Sequence, residues 1–504
     1  MDLPQPLRIL FVVSEADPFM KVGGLGDVGG SLPRAIYNLV HSLPAEGGDI
    51  IEEDRASVDI RLVLPFHGAV AAAASVLRPV VAFNVPHRDG PQQAVAYDRD
   101  MQGVPVYLIS GVPIQPQGPV YTGDPDIDGN KYTFFSMAAL ELVRALGWQP
   151  DLLHAHDWHT AASVYAVSIR PEDEFFSHTA TLLGIHNLPY LGTGTGPSLS
   201  AYGLPPAVGS ALPEWAQHLP LPLGLLAADH IVAVSPTYAK EILTPEFGSG
   251  LYDFLEERSA SISGILNGLD VDQWDPRTDP KLAANYDHHT LPQRAANKRL
   301  LQEQLGLEPD TDIPLLGMIT RMDNQKGVDL ALDALRQIEI PGEHPEQPWQ
   351  AVILGTGTPS LEEAALRMQA DYPERLRAVI TFDAALSRRI YGGADALLIP
   401  SRYEPCGLAQ MIAMRYGCVP IARAVGGLKD TIRPYPHKKA TGLLFTDPTP
   451  QALSGTIRNA LALYTDQKAW RKLQREGMLQ DFSWERSARE YVSLYRSMVK
   501  SRSQ

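Results

Sequence analysis

Residues 394–416 read ADALLIPSRYEPCGLAQMIAMRY. An apolar run, Ala394–Pro400, stops at a loop carrying Glu404 and Gly407, and a helical pattern follows over Leu408–Tyr416. Strand, loop and helix in that order are the unit of a doubly wound parallel sheet, whose ligands bind at the carboxyl ends of the strands. Outward from this unit the same rhythm recurs at Ile313–Thr320, Trp349–Leu354, Ala378–Phe382 and Cys418–Ala422. Helices are predicted over Gly327–Arg336, Ser360–Tyr372 and Pro450–Leu463. A second series lies upstream: Leu7–Ser14, Val58–Leu64, Val104–Ile109, Asp151–His156, Thr179–His186 and His230–Ser235. Several are near-continuous Val/Ile/Leu runs, as strands buried on both faces require. Eleven such strands exceed one ordinary sheet, so two Rossmann-like α/β domains are expected, 1–261 and 262–479, followed by a final helix near Trp484–Met498.

Composition narrows the function. The 504 residues carry 43 Lys+Arg against 58 Asp+Glu, a net charge of 43 − 58 = −15. Nucleic acid and anionic membranes are poor partners for so acidic a chain. A hydrophobic share of 44% permits a large core, and 41 glycines with 42 prolines suit many short loops. Two cysteines, Cys406 and Cys418, exclude a disulfide scaffold or thiolate zinc cluster and suit a reducing, cytoplasmic compartment. The opening MDLPQPLRILFVVSE has no signal-peptide layout, and the Ala-rich run Gly68–Leu77 is far shorter than the ~20 residues of a membrane span.

Four segments carry chemistry. After the first strand, KVGGLGD spans Lys21–Asp27, with Gly23 and Gly24 before a helical stretch. Such a loop suits either an anion at a helix N-terminus or simply a tight turn. It does not fit the dinucleotide fingerprint, because no acidic residue follows at the right distance. HAHDWH, His154–His159, ends another strand, and His186-Asn187 ends the next. Three readings stand here: packed histidines, a metal site, or a sugar site in which Asp157 accepts hydroxyls and Trp158 stacks on a ring. RMDNQKG places Arg321 and Lys326 on a strand-to-helix loop, either as a diphosphate clamp or as solvated charges. The most specific segment is the opening one, where Glu404, Cys406, Gly407 and Leu408 bring a carboxylate and backbone amides together.

These motifs, with LNGLD at 266–270 and ANKRLLQ at 296–302, resemble the bacterial glycogen synthases and plant starch synthases, in order from about residue 7 to 495. That family consists of retaining glucosyltransferases of the GT-B fold, two Rossmann-like domains facing a cleft. The resemblance implies that the helix within 480–504 packs back on the first domain. It makes Lys21, beside Gly23, Gly24 and Asp27, a contact to the donor's phosphates and sugar. Asp157, Trp158, His186 and Asn187 become the glucose-side wall, and Arg321 and Lys326 the clamp. Glu404 holds the glucosyl ring, with the amides of Cys406, Gly407 and Leu408 around it, and Asn267 is a nucleotide-side contact at the hinge. Departures include Ala409 for the family's Thr, Leu221–Gly224 for an F-L-K-A-G stretch, and Phe382 where Tyr is usual. Ile412 occupies a position where many related transferases, though not these synthases, carry a second Glu.

The expected reaction is glucosyl transfer from ADP-glucose to the non-reducing end of an α-1,4-glucan, with retention, no resident cofactor and no metal. Alternatives are UDP-glucose as donor, a small acceptor, or a weakly active glucan-binding regulatory relative. No lysine segment suggests pyridoxal phosphate, which disfavours a phosphorylase.

Overall fold

In the computed structural model, residues 6–41, 58–68, 77–114, 117–338 and 348–502 are described; most of the Ala-rich run, 69–76, lies outside them. The first strand, β1 (Leu7–Val12), has Ile9–Val12 fully buried, as its unbroken apolar pattern requires. It pairs in parallel with β2 (Val58–Pro65) on one side and β6 (Leu152–His156) on the other. The sheet continues through β3 (Pro79–Val85), β4 (Gln92–Met101), β5 (Val104–Gly111), β7 (Ala180–Ile185), β8 (His230–Ala233) and β9 (Ile262–Gly264). Its nine strands run in the order β3-β4-β5-β2-β1-β6-β7-β8-β9, and only the β3–β4 and β4–β5 pairings are antiparallel. From β1 the chain proceeds to β2, and from β6 it proceeds to β7 on the opposite side. The carboxyl ends of β1 and β6 therefore flank a topological switch point, the natural crevice of such a sheet.

The second sheet is wholly parallel. It contains β10 (Leu315–Ile319), β11 (Gln350–Gly355), β12 (Leu376–Ile380), β13 (Ala396–Ile399), β14 (Val419–Arg423) and β15 (Leu443–Phe445), in the order β12-β11-β10-β13-β14-β15. The same logic puts its switch point between β10 and β13. Both flanking loops carry motifs singled out from the sequence: RMDNQKG after β10 and SRYEPCG after β13.

The chain divides into a unit of residues up to Gly268 with Trp484 onward, and a unit spanning Leu269–Ser483. This corrects the sequence-based boundary at 261/262. Ile262–Gly264 pairs with β8 and completes the first sheet, so the second unit starts later. Helix Trp484–Arg502 belongs to the first unit. Its Trp484, Ala488, Tyr491, Val492, Tyr495 and Met498 recur at helical spacing and join Val28, Leu32, Ile36 and β1 in one core. Helix Gly24–His41 sits close to the loop before it, since a Cβ on Gly30 would come 2.1 Å from the Asp17 carbonyl oxygen. In the second unit, the family-like segment at 296–302 is structural. Asn297 Oδ1 accepts from the amides of Ala283 and Ala284, and the buried Lys298 ammonium pairs with Asp395 at 2.7 Å.

Two other expectations shift. The strand expected at Ala378–Phe382 runs Leu376–Ile380, leaving Phe382 in the loop beyond it. The helix expected from Gly327 starts at Val328, with Gly327 as a left-handed cap (φ 67°) whose Cβ would lie 2.3 Å from the Pro400 carbonyl oxygen. No helix among the described residues is long and apolar enough to cross a membrane.

Candidate functional site

At the first unit's switch point the glycine loop is organised by Glu15, a residue the sequence motifs did not single out. Its carboxylate is buried and accepts from Val22 N–H at 2.5 Å, Gly23 N–H at 3.0 Å and the Tyr121 hydroxyl at 3.0 Å. A Cβ on Gly26 would lie 3.0 Å from Glu15 Oε2 and 2.9 Å from Lys21 Cγ, so Gly keeps the loop tight there. Lys21 is partly exposed and its Nζ lies 2.5 Å from Asp27 Oδ1. Burial pushes the Asp27 carboxyl up, against the pull of that ammonium. Gly23 and Gly24 are exposed, and the space beside Gly24 is open. The signal for Glu15 was its place as a strand-end carboxylate just before a glycine loop.

Across the switch point, Asp157 starts helix Asp157–Ser168 with φ 53°, a left-handed conformation uncommon outside glycine. Strain of this kind clusters at functional sites. Its buried Oδ1 accepts from the amides of His186 (2.7 Å) and Asn187 (3.4 Å), tying the ends of β6 and β7 together. Burial raises the Asp157 carboxyl, while His186 and the two amides oppose the rise. His156 Nδ1 and His186 Nε2 lie 2.9 Å apart, and His154 Nδ1 lies 2.8 Å from the Tyr495 hydroxyl. Burial lowers all three imidazoles, so they are neutral at pH 7. One nitrogen of each ring bonds to a neighbouring histidine or to tyrosine, while Nε2 of His154 and of His156 has no partner among the described residues. Among the described residues no group of three or more His, Cys, Asp or Glu is arranged to hold a metal ion. Trp158 is half-buried, edge-on to Tyr132 with centroids 5.3 Å apart, and Asn187 Oδ1 is buried with no partner among the described residues. Asn267, buried and with no partner for its Oδ1 among the described residues, lies in the first unit, before the boundary.

In the second unit the two motif loops meet. Lys326 Nζ lies 2.8 and 2.6 Å from the two carboxylate oxygens of Glu404, and the Ser401 hydroxyl donates to Glu404 Oε2 at 2.8 Å. Asp323 shapes the first loop: its Oδ1 accepts from Lys326 N–H, and its Oδ2 pairs with Arg321 at 3.1 Å. Arg321 also donates to Gln325 Oε1 at 3.3 Å, yet its side chain is 61% exposed. Arg402 clamps Asp329 with two bonds of 2.9 and 2.6 Å, and Arg423 donates to the Arg402 carbonyl. The turn through Cys406 and Gly407 rests on Gly426–Gly427, where a Cβ on Gly427 would lie 2.1 Å from the Cys406 carbonyl oxygen. Gln410 is fully buried and donates to the carbonyls of Cys406 (3.0 Å) and Gly407 (2.9 Å). Gly407 takes φ 73°, and Leu408 precedes helix Ala409–Arg415. Phe382 is 87% exposed beside Asp383, which caps helix Ala384–Gly393. Ser401, Asp323 and Gln325 escaped sequence reasoning because polar residues on a loop carry no distinctive spacing, and Gln410, in the first turn of helix Ala409–Arg415, because its bonds to the preceding turn form only on folding.

Residues 8–44 and 52–257 match the family described as starch synthase catalytic domain, and residues 303–477 match glycosyl transferases group 1. A glycogen synthase of Anaeromyxobacter dehalogenans (strain 2CP-C) is 40% identical over 505 residues, covering 98% of this chain and 100% of that one. The chain belongs to the glycogen and starch synthase family. It is a glycosyltransferase of the GT-B fold with glycogen/starch synthase activity. A glycogen synthase of Streptococcus sanguinis (strain SK36) is 36% identical, covering 98% and 100% of the two chains. The catalytic domain of starch synthase IV from Arabidopsis thaliana, solved bound to ADP and acarbose, superposes with a TM-score of 0.82. It is 30% identical and covers 98% of this chain and 100% of that one. Sucrose-phosphate synthase from Thermosynechococcus elongatus, 19% identical with a TM-score of 0.58, shares the fold.

Proposed function

We propose that this enzyme transfers glucose from ADP-glucose to the non-reducing end of an α-1,4-glucan, with retention of configuration and without a metal. The observation that carries the reading is the Lys326–Glu404–Ser401 cluster at the second unit's switch point, with Arg321 beside it. A nucleoside diphosphate leaves as an anion, and fixed cations stabilise that charge as the glycosidic bond loosens. In this reading Arg321 and Lys326 supply those cations, while Glu404 orients the glucosyl ring. Retaining hydrolases need a second carboxyl about 5 Å from the first. No such partner stands out among the motif residues, and the position eight residues after Glu404, where many related transferases carry a second Glu, is here the buried Ile412. Transfer on one face therefore suits the chain better: the acceptor hydroxyl bonds to the anomeric carbon as the carbon–phosphate-oxygen bond breaks. The departing phosphate oxygen takes the hydroxyl proton. In the first unit, Lys21 serves the donor, and Asp157, Trp158, His186 and Asn187 serve the sugar. The adenosine diphosphate and the acarbose named for the Arabidopsis relative are the ligand types this reading requires.

The test measures nucleoside diphosphate release from ADP-glucose and UDP-glucose, with glycogen, with free glucose, and with no acceptor. Release from ADP-glucose that depends on glycogen is expected. Preference for UDP-glucose would overturn the donor, transfer to free glucose the acceptor, and glycogen binding without release the activity.

A further inference from the structure

His156 is buried with 0% exposure behind His186, and its Nδ1 lies 2.9 Å from His186 Nε2. Gly184 on β7 leaves room for this ring pair, since a Cβ there would lie 3.0 Å from His156 Nδ1. Both imidazoles are held neutral by burial, so one nitrogen of the pair carries the shared proton and the other accepts it. Two arrangements satisfy the distance. If His186 Nε2–H donates, His156 must carry its own proton on Nε2. That atom is sealed from solvent with no partner among the described residues, beside the Phe11 ring at 4.4 Å between centroids. If His156 Nδ1–H donates instead, the sealed atom is a bare ring nitrogen. An orphaned buried N–H is the rarer and costlier defect, so the second arrangement wins.

We infer that His156 is a positioning residue that locks His186 in its Nδ1–H tautomer, so that His186 presents a hydrogen-bond donor at the rim of the first sheet. His186 is half-buried, and its Nδ1 is not among the sealed atoms that lack a partner. It lies next to Asp157, whose Oδ1 holds the His186 amide. The rim thus offers one N–H and one carboxylate side by side, a pair suited to neighbouring sugar hydroxyls. A free imidazole favours the opposite tautomer, so without His156 the ring would turn an acceptor outward or lose its orientation. The inference rests on the reading of His186 as a sugar contact.

The lock is tested on the full-length protein labelled with [15N]histidine, using long-range 15N–1H spectra and His186→Gln to assign the His186 signals. Wild type should show His186 protonated on Nδ1. His156→Phe should move the proton to Nε2 and lower kcat about ten- to hundredfold with a smaller change in KM, as for a misoriented catalytic imidazole. His156→Asn puts an amide nitrogen where Nδ1 was and should restore both tautomer and rate. An Nε2–H His186 in wild type overturns the lock, even if the variants do not fold. A tautomer that changes without a change in kcat, or a kcat loss with the tautomer kept, overturns the positioning role. Wild type that transfers no glucose would defeat the functional reading, whereas the tautomer would remain legible.

Discussion

Lys326 Nζ and the Glu404 carboxylate close a two-pronged ion pair of 2.8 and 2.6 Å that joins the loop after β10 to the loop after β13. The side chains are only 21% and 9% exposed, so each charge depends on the other for compensation. A diphosphate arriving beside Lys326 would share that cation with Glu404. The pair thereby holds both groups in place before substrate binds.

Removing the carboxylate should therefore cost turnover most. Glu404→Gln keeps the volume and an acceptor for Ser401, and should lower kcat by about a thousandfold with little rise in KM. Glu404→Ala strands Lys326 and should also lower stability, by about 3 kcal/mol or less because Lys326 is partly solvated. Steady-state kinetics and thermal melts of both variants check this. Near-normal kcat in folded Glu404→Gln would take Glu404 out of the reaction.

Arg321 differs because its side chain faces solvent and its pair with Asp323 is worth at most about 1 kcal/mol to folding. Arg321→Ala should leave the melting temperature unchanged, while kcat/KM falls by about 3 kcal/mol. A loss that disappears at high ionic strength would mark Arg321 as a distant steering charge instead.

The histidines of the first unit predict an acid-sensitive fold. Burial, aided by the Lys131 ammonium, lowers His67 from 6.5 to about 4 and His159 to about 3. Burial also lowers His154, His156 and His186. Above the unfolded value of 6.5 both states are neutral, and the stability is fully present. As pH falls from 6.5 toward 4 the unfolded chain binds protons that the folded one refuses, so stability is lost. Each such histidine contributes a slope of about 1.4 kcal/mol per pH unit across its window. His67→Phe should flatten the pH dependence of the unfolding free energy, measured by denaturant titration, by about that amount per pH unit between about pH 6 and 4.5. An unchanged slope would show that His67 protonates freely in the folded protein.

Much of this was legible in the sequence because parallel strands buried on both faces leave long apolar runs, as in β1, β6, β10 and β13. Their strand-end loops carry the chemistry, which makes KVGGLGD, HAHDWH, RMDNQKG and SRYEPCG stand out in the sequence itself. Strands β3 and β4 were missed for the complementary reason: β3 is mostly solvent-exposed, and β4 buries small Ala94 and Ala96. β15 is only three residues long. Contacts made by folding were out of reach as well. Lys326 and Glu404 lie 78 residues apart, and Glu15 works through amides that no motif marks. The early placement of the boundary has a similar cause, since Ile262–Gly264 reads as a strand without revealing which sheet it joins.

The last prediction is that glucosyl transfer survives excess EDTA. The charge that builds on the leaving diphosphate needs a counter-charge, and the second unit supplies two fixed cations, Arg321 and Lys326, on one loop. The carboxylates nearest them are already engaged: Asp323 with Arg321 and the Lys326 amide, Glu404 with Lys326 and Ser401. In the first unit His154 Nδ1 bonds to Tyr495 and His156 Nδ1 to His186 Nε2, while Nε2 of His154 and of His156 is sealed from solvent without a partner among the described residues. The carboxylates cannot serve as a ligand shell without breaking the bonds that shape their loops, and among the described residues no three His, Cys, Asp or Glu side chains are arranged to hold an ion. Initial rates with and without EDTA, followed by magnesium or manganese, decide the point. Unchanged rates are expected, with any modest gain on adding magnesium saturating at the diphosphate product. Complete loss with EDTA, restored by either metal, would defeat the metal-free mechanism and reopen the histidine cluster as a ligand set.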